Sequence, residues 1–423
     1  MEGKYLARVL YITYDGLTDP LGRSQVLPYL VGCASRGHHI TILSCEKRDR
    51  FCTGKAPVMR VCNEAGLDWW PLRYHRRPPV ISSIYDAWRL TTASVALHRS
   101  CQFELVHSRS YIPSIAALHL KRLAGLPLLF DMRGFWPEER IEGGSWNIRN
   151  PLYAGVYRYF KRLETRLLQT SDHIIALSEA GKTQLLSRPA LADRTAEDIS
   201  VIPCAVDFEH FRLARSERAT SRQALGISAD AAVLVYIGSL GSWYMLDEML
   251  DYFRAFQVRH NDAYFLFVTM EPSDIITTAA RTRGLDLKRI IIRAATREEL
   301  PKIIASADAG ISFIKPVFSK TASCPTKLGE MLASGLPVVS NTGVGDVETI
   351  LLETGAGAVI REFNEDEYRK ATYALEAMNL SPLQIRRRAR AFFDLKTALK
   401  NYSAIYESLE QKWQREGALP EQR

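Results

Sequence analysis

The chain has 423 residues, 47% hydrophobic and 24% charged, the balance of a soluble globular protein long enough for two or three domains. No apolar run approaches the ~18 residues that cross a bilayer, and seven scattered cysteines with no Cys-x-x-Cys pair point to reduced thiols in a cytosolic protein. The formal net charge of +8 favours an acidic partner: a phosphate ligand, an anionic membrane or nucleic acid.

MEGKYLARVLYIT, at the start, has neither an apolar h-region nor a small-residue cleavage site, so no signal peptide is expected. ARVLYITYD, HHITILSCE, LDWWPLRY, FELVHSRS, LPLLFDM and DHIIALS read as strands in the first half, with SQVLPYLVGCASRG and YAGVYRYFKRLETRLLQ as helices among them. VIPCAVDFEHFRLARSERAT, from 201, ends that series, turns polar and reads as a linker. The pattern restarts with AAVLVYIGS, AYFLFVTM, RIIIRAA, AGISFIK and LPVVSN as strands, and LDEMLDYFRAFQVRH and REELPKIIASAD as helices. Strands alternating with helices imply βαβ units and parallel sheets covered on both faces. The expected fold is α/β: two doubly wound, Rossmann-like domains, about 1–205 and 206–390, and a helical tail over 391–423 packing back on the first. Ligands on such sheets bind beyond the carboxyl ends of the strands, and two such domains can present those ends to a shared cleft.

SCPTKLGEMLASGLPVVSN (323–341) carries the chemistry. A helix opening at Pro325 or Thr326 presents unpaired backbone N–H groups and the positive end of its dipole. Pro suits the first turn, Ser323 or Thr326 offers a cap, and Lys327 adds a full charge to this anion site. Glu330, one turn on, can accept two hydrogen bonds, which suits the vicinal hydroxyls of a ribose. Phosphate at the helix start and ribose at the glutamate describe a nucleotide; a capped surface helix with a solvated Lys and Glu accounts for the same residues.

GEMLASGLPVVS resembles the Glu-x-x-Ala-x-Gly-x-Pro-Val-Val signature of family 4 retaining glycosyltransferases with the GT-B fold. YDGLTDPLGRSQVLPYLVGCASRGHHITILSCE is similar to that family's first βαβ unit, VIPCAVDFEHF to its interdomain segment, and VYIGSLG to the first glycine loop of its second domain. By that resemblance Glu330 holds the ribose of a nucleotide diphosphate sugar, UDP- or GDP-linked, and Pro325, Thr326 and Lys327 hold its diphosphate. Gly238, Ser239 and Leu240 form the opposite phosphate loop, and Thr296 lies beside the base. Gly22 lets the first domain's backbone approach the donor, with Arg23 as a phosphate partner.

Two departures stand out. Ala322 occupies the position of the first Glu of the family's Glu-x7-Glu pattern, and GSLGSWYMLDE has no Lys or Arg after the glycine loop. A buried diphosphate needs cations, so Lys315, Lys320, Lys327, Arg109 and Arg133 become candidates; Arg109 ends the strand in HSRSY and Arg133 follows the strand in FDMRGFWPEE. With Lys327, these two arginines are the expected catalytic cations. The resemblance implies front-face transfer with retention, the leaving diphosphate helping to deprotonate the acceptor. No Asp-x-Asp pair sits at a strand end, so neither a metal nor another cofactor is expected.

From Trp69 to Cys101 there are five Arg against one acid, interleaved with Trp69, Trp70, Tyr74, Tyr85 and Trp88. In 153–168, Tyr153, Val156, Tyr157, Phe160, Leu163 and Leu167 share a helical face bordered by Arg158, Lys161, Arg162 and Arg166. Arg73, Arg76, Arg77, Arg158 and Arg162 are therefore expected on an acceptor or anionic membrane face. The acceptor expected is a glycan or polyprenyl-diphosphate-linked glycan of cell-surface polysaccharide or glycolipid synthesis, met at the cytoplasmic side of the plasma membrane. Nucleic acid is not an expected partner, since no binding-module pattern accompanies the charge. A non-catalytic partner subunit and a nucleotide-sugar epimerase of the same fold share most of these features.

Overall fold

The computed structural model describes residues 6–212 and 215–417. The first residues of the N-terminal segment, two residues of the supposed linker and the last six of the tail lie outside them. The chain divides into two units: residues up to Ile202 with those from Lys396 on, and Pro203–Leu395. The divisions fall at 202/203 and 395/396, where the sequence suggested 205/206 and 390/391.

The first unit holds β1 (Arg8–Thr13), β2 (His39–Glu46), β3 (Asp68–Arg73), β4 (Leu105–Arg109), β5 (Leu128–Asp131), β6 (His173–Ala176) and β7 (Ile199–Val201). They form one parallel sheet in the order β3-β2-β1-β4-β5-β6-β7. β4 and β5 are buried along their whole length and β1 nearly so, as strands with helices on both faces must be. Pro71 is tolerated because β3 is an edge strand and needs its ladder on one side only.

The second unit holds β8 (Val233–Ile237), β9 (Tyr264–Val268), β10 (Ile290–Arg293), β11 (Ala309–Ser312), β12 (Val338–Asn341) and β13 (Gly357–Ile360). This sheet is also parallel, in the order β10-β9-β8-β11-β12-β13. β8 shows why its sequence runs apolar without a break. Val233, Val235 and Ile237 pack on one face with Met331, Leu332 and Phe393, while Leu234 and Tyr236 pack on the other with Leu250 and Phe253.

The linker reading is corrected by its own apolar residues. Val206, Phe208 and Phe211 are buried in the second unit's core, and Val206 pairs with Asp394 across a parallel bridge. The helix Leu395–Gly417 returns to the first unit. Its Leu399 fills the space a side chain at Gly32 would need, Ser403 Oγ lies 2.7 Å from His38 Nε2, and Tyr406 Oη lies 2.7 Å from His107 Nδ1.

Burial holds His38, His107 and His173 below the usual histidine range, against the opposing pull of Glu407, Asp131 and Asp198. These rings stay neutral in the folded chain and take up protons on unfolding below about pH 6.5. The unfolded state then binds more protons, so their contribution is full above that pH and is lost as the pH falls through it. Each fully titrating ring removes up to about 1.4 kcal/mol per pH unit. Thermal melts should show the first unit's transition falling steadily from about pH 7 to about pH 5, less steeply in His107→Asn; a flat profile would contradict this.

Candidate active site

In a parallel sheet every carboxyl end lies on one edge. In each unit the strand order reverses where two neighbours grow outward in opposite directions: β1 and β4 in the first, β8 and β11 in the second. Loops leaving such a pair diverge and open a crevice. The richest chemistry of each unit lies there.

In the second unit, β8 runs into Gly238, whose φ of +131° suits only glycine. The methylenes of Lys327 run beside it, 3.9 Å from where a side chain would begin. The loop then pairs with the segment after β11: Lys315 N donates to Trp243 O at 3.0 Å, Tyr244 bridges Ile314, and Met245 N donates to Phe313 O at 3.1 Å. The helix Thr326–Ala333 begins with Pro325 as its N-cap residue and no side-chain cap hydrogen bond. Neither Ser323 nor Thr326 caps it, so its first turn keeps the character of an anion site.

Glu330 is 1% exposed. Its Oε2 lies 2.9 Å from Lys327 Nζ and its Oε1 3.5 Å from Arg297 Nη1. Sequence reasoning missed Arg297, which comes from the loop after β10 and lies over Phe211; only its place one residue beyond Thr296 hinted at it. Thr296 and Ser239 are exposed and Leu240 is half-buried.

In the first unit, Glu46 at the end of β2 holds the loop after β1. Leu17 N and Ser44 Oγ donate to Oε1 at 2.7 and 2.6 Å, and Thr18 N and Oγ1 to Oε2 at 3.1 and 2.5 Å. Gly22 lies inside the short helix Pro20–Gln25, and a Cβ there would meet Gly16 O at 2.0 Å. Only a glycine fits there, because the backbone of its own loop fills the space of a side chain. Arg23 is exposed, with Nη2 against Gly54.

Arg109 and Arg133 converge on Asp131. Arg109 is 3% exposed, with Nη1 3.5 Å from Asp131 Oδ2 and Nε 3.4 Å from Asp15 Oδ2; Arg133 Nη1 lies 3.7 Å from Asp131 Oδ1. Burial pushes the Asp131 carboxyl up, but Arg133, the neighbouring His107 and Arg109 outweigh it and hold it below the usual carboxylate range. Arg133 (φ +57°) and Ser110 (φ +68°) both adopt the left-handed region, strain of the kind that gathers at functional sites. His107 lies inside β4 against Tyr402 and Tyr406.

Arg73, Arg76 and Arg77 are exposed on and just after β3, and Arg158 and Arg162 are exposed on the helix Pro151–Thr170. Phe160, Leu163 and Leu167 of that helix are buried, so its most apolar side is core. Among the described residues no helix is long and apolar enough to cross a membrane.

Two parallel doubly wound units with ligand edges of this kind define the GT-B glycosyltransferase architecture. Residues 29–210 match the model of Glycosyltransferase Family 4 and residues 231–377 that of Glycosyl transferases group 1. The chain is thus a GT-B glycosyltransferase of the family 4 type. Solved structures agree on the fold. A glycosyltransferase from Rickettsia africae is 15% identical with a TM-score of 0.69, covering 96% of this chain and 98% of its own. Sucrose-phosphate synthase from Thermosynechococcus elongatus is 14% identical with a TM-score of 0.70, covering 96% and 100%. Anabaena HepE, solved with UDP and glucose, is 14% identical with a TM-score of 0.66, covering 95% and 100%. No curated protein sequence matches the chain.

Proposed function

We propose that the protein transfers a sugar, with retention at the anomeric carbon, from a UDP- or GDP-linked donor to a glycan or polyprenyl-diphosphate-linked acceptor of cell-surface polysaccharide or glycolipid synthesis. The observation that carries this reading is Glu330: a buried carboxylate one turn inside a helix start without a side-chain cap, beside Lys327 and the Gly238 loop. In this reading its oxygens accept the ribose hydroxyls, and Lys327 turns from Glu330 toward the diphosphate. The helix-start amides and Lys327 stabilise charge building on that leaving group. The diphosphate takes the acceptor's proton, so transfer needs neither a protein nucleophile nor a bound metal. The first unit supplies the acceptor side, and its Arg109 and Arg133, held in place by Asp131, are in this reading catalytic cations. HepE's UDP and glucose are in keeping with such a donor.

A membrane-borne acceptor is supported by a surface of the first unit. Trp70, Ile81, Ile84, Tyr85 and Trp88 are 53%, 64%, 65%, 47% and 59% exposed. Ile81, Ile84, Tyr85 and Trp88 recur at helical spacing along Ile81–Cys101. Arg89 lies over Tyr85 and bonds to Arg73 O, and Arg76 and Arg77 are exposed nearby in sequence. Apolar rings among arginines suit the headgroup layer of an anionic membrane. This surface supports peripheral attachment, in this reading at the cytoplasmic face of the plasma membrane.

Glu330→Ala should fold and bind nucleoside diphosphate about 30- to 1000-fold more weakly, as expected for loss of about 2–4 kcal/mol of charged hydrogen bonding; unchanged affinity by calorimetry would remove the ribose assignment. A panel of nucleotide sugars with lipid-linked acceptor should yield product of the donor's anomeric configuration by NMR, equally well in EDTA. Nucleotide-sugar interconversion would identify an epimerase, and binding without turnover a partner subunit. Trp88→Ala should lower affinity for phosphatidylglycerol-containing vesicles about tenfold, the scale of one buried aromatic ring; equal binding by wild type and variant would leave this face without a membrane role.

A further inference from the structure

We propose that Arg297 fixes the Glu330 carboxylate for the ribose and thereby sets a preference for ribonucleotides over 2′-deoxyribonucleotides. The inference rests on the donor reading above and names the residue on which its ribose recognition depends. Glu330 is 1% exposed and meets two cations, Lys327 Nζ at 2.9 Å from Oε2 and Arg297 Nη1 at 3.5 Å from Oε1. In that reading Lys327 turns to the diphosphate, so Arg297 is the cation that stays with Glu330. A buried carboxylate with no cation beside it favours its neutral form. A protonated oxygen then donates where an ionised one would accept from a ribose hydroxyl.

The second unit's own residues anchor Arg297. Its carbonyl accepts from His210 Nε2 at 3.0 Å, and its guanidinium lies 5.4 Å from the centre of the Phe211 ring, which is itself buried in the core. The turn that carries it is closed by a reciprocal pair: Thr296 N donates to Glu299 Oε2 at 2.8 Å, and Glu299 N to Thr296 Oγ1 at 3.3 Å. Lys327 is a point charge on a flexible stem, whereas the planar guanidinium meets a carboxylate from a fixed direction. Arg297 thus sets which way the Glu330 oxygens face, and is a positioning residue. A ribose offers that carboxylate two hydroxyls and a 2′-deoxyribose one. The second hydroxyl gains affinity only if the carboxylate is charged and correctly turned.

The test is calorimetry of UDP, GDP, 2′-deoxy-UDP and 2′-deoxy-GDP with wild type, Arg297→Met, Arg297→Lys, Glu330→Ala and the double variant Arg297→Met/Glu330→Ala, each first shown to be folded by thermal melting. The readout is the ratio of deoxyribo- to ribonucleotide dissociation constants. Wild type should favour the ribonucleotides about ten- to a hundredfold, the scale of one charged hydrogen bond. Arg297→Met should weaken the ribonucleotides about tenfold and the deoxyribonucleotides much less, bringing the ratio to within about threefold. Arg297→Lys should give a ratio between these two. In Glu330→Ala the preference should vanish, and adding Arg297→Met should not change it further. A ratio that is unchanged in Arg297→Met but lost in Glu330→Ala would overturn this inference and leave the donor reading standing. A wild type with no ribose preference, a preference that survives Glu330→Ala, or a wild type that binds none of the four nucleotides would overturn both. If Arg297→Met does not fold, Arg297→Gln decides: a collapsed ratio supports the proposal, and an unchanged one refutes it.

Discussion

Glu330 is a carboxylate almost wholly removed from water, and a charge in that position persists only if it is paired. Lys327 and Arg297 meet its two oxygens from different directions, one from its own helix and one from the loop after β10. That pairing ties the helix start to the neighbouring loop. It also keeps a strong acceptor and a strong donor within one turn of each other, beside the Gly238 loop. The site is organised by the requirement to pair this charge before any ligand arrives.

The same requirement shapes the first unit. Glu46 binds the loop after β1 by accepting from two backbone N–H groups and two hydroxyls. Asp131 gathers Arg109 and Arg133 at the ends of β4 and β5, and Tyr402 reaches it at 3.4 Å from the helix that closes the chain. Buried acids at the carboxyl edge thus set the loops in both units. Parallel strands bring those loops to one edge, and buried carboxylates hold them there.

Much of this was legible in the sequence. The strands from ARVLYITYD to LPVVSN are long apolar runs, and a sheet covered on both faces has to read that way. The helix carrying Lys327 and Glu330 announced itself through Pro325, the Gly335 stop and the strand that follows. Other features could not be read. β7 has three residues, too few for a pattern, and β13 opens on Gly357 and Ala358, which weakens its strand signal. VIPCAVDFEHF read as linker because its polar residues conceal Val206, Phe208 and Phe211, whose burial depends on a helix end far along the chain. The contact of Gly22 with the backbone of Gly16, which requires a glycine there, left no mark in the sequence. Arg297 and Glu46 act across long sequence separations, and composition carries no trace of such contacts.

The central claim is that the β8–β11 crevice of the second unit holds a nucleoside diphosphate with its ribose on Glu330. A crystal structure of the protein with UDP or GDP bound tests it most directly. The account predicts ribose hydroxyls within hydrogen-bond distance of the Glu330 carboxylate and phosphates against the Gly238 loop, Lys327 and the start of the helix Thr326–Ala333. Nucleotide bound elsewhere, with Glu330 still closed between Lys327 and Arg297, would contradict it.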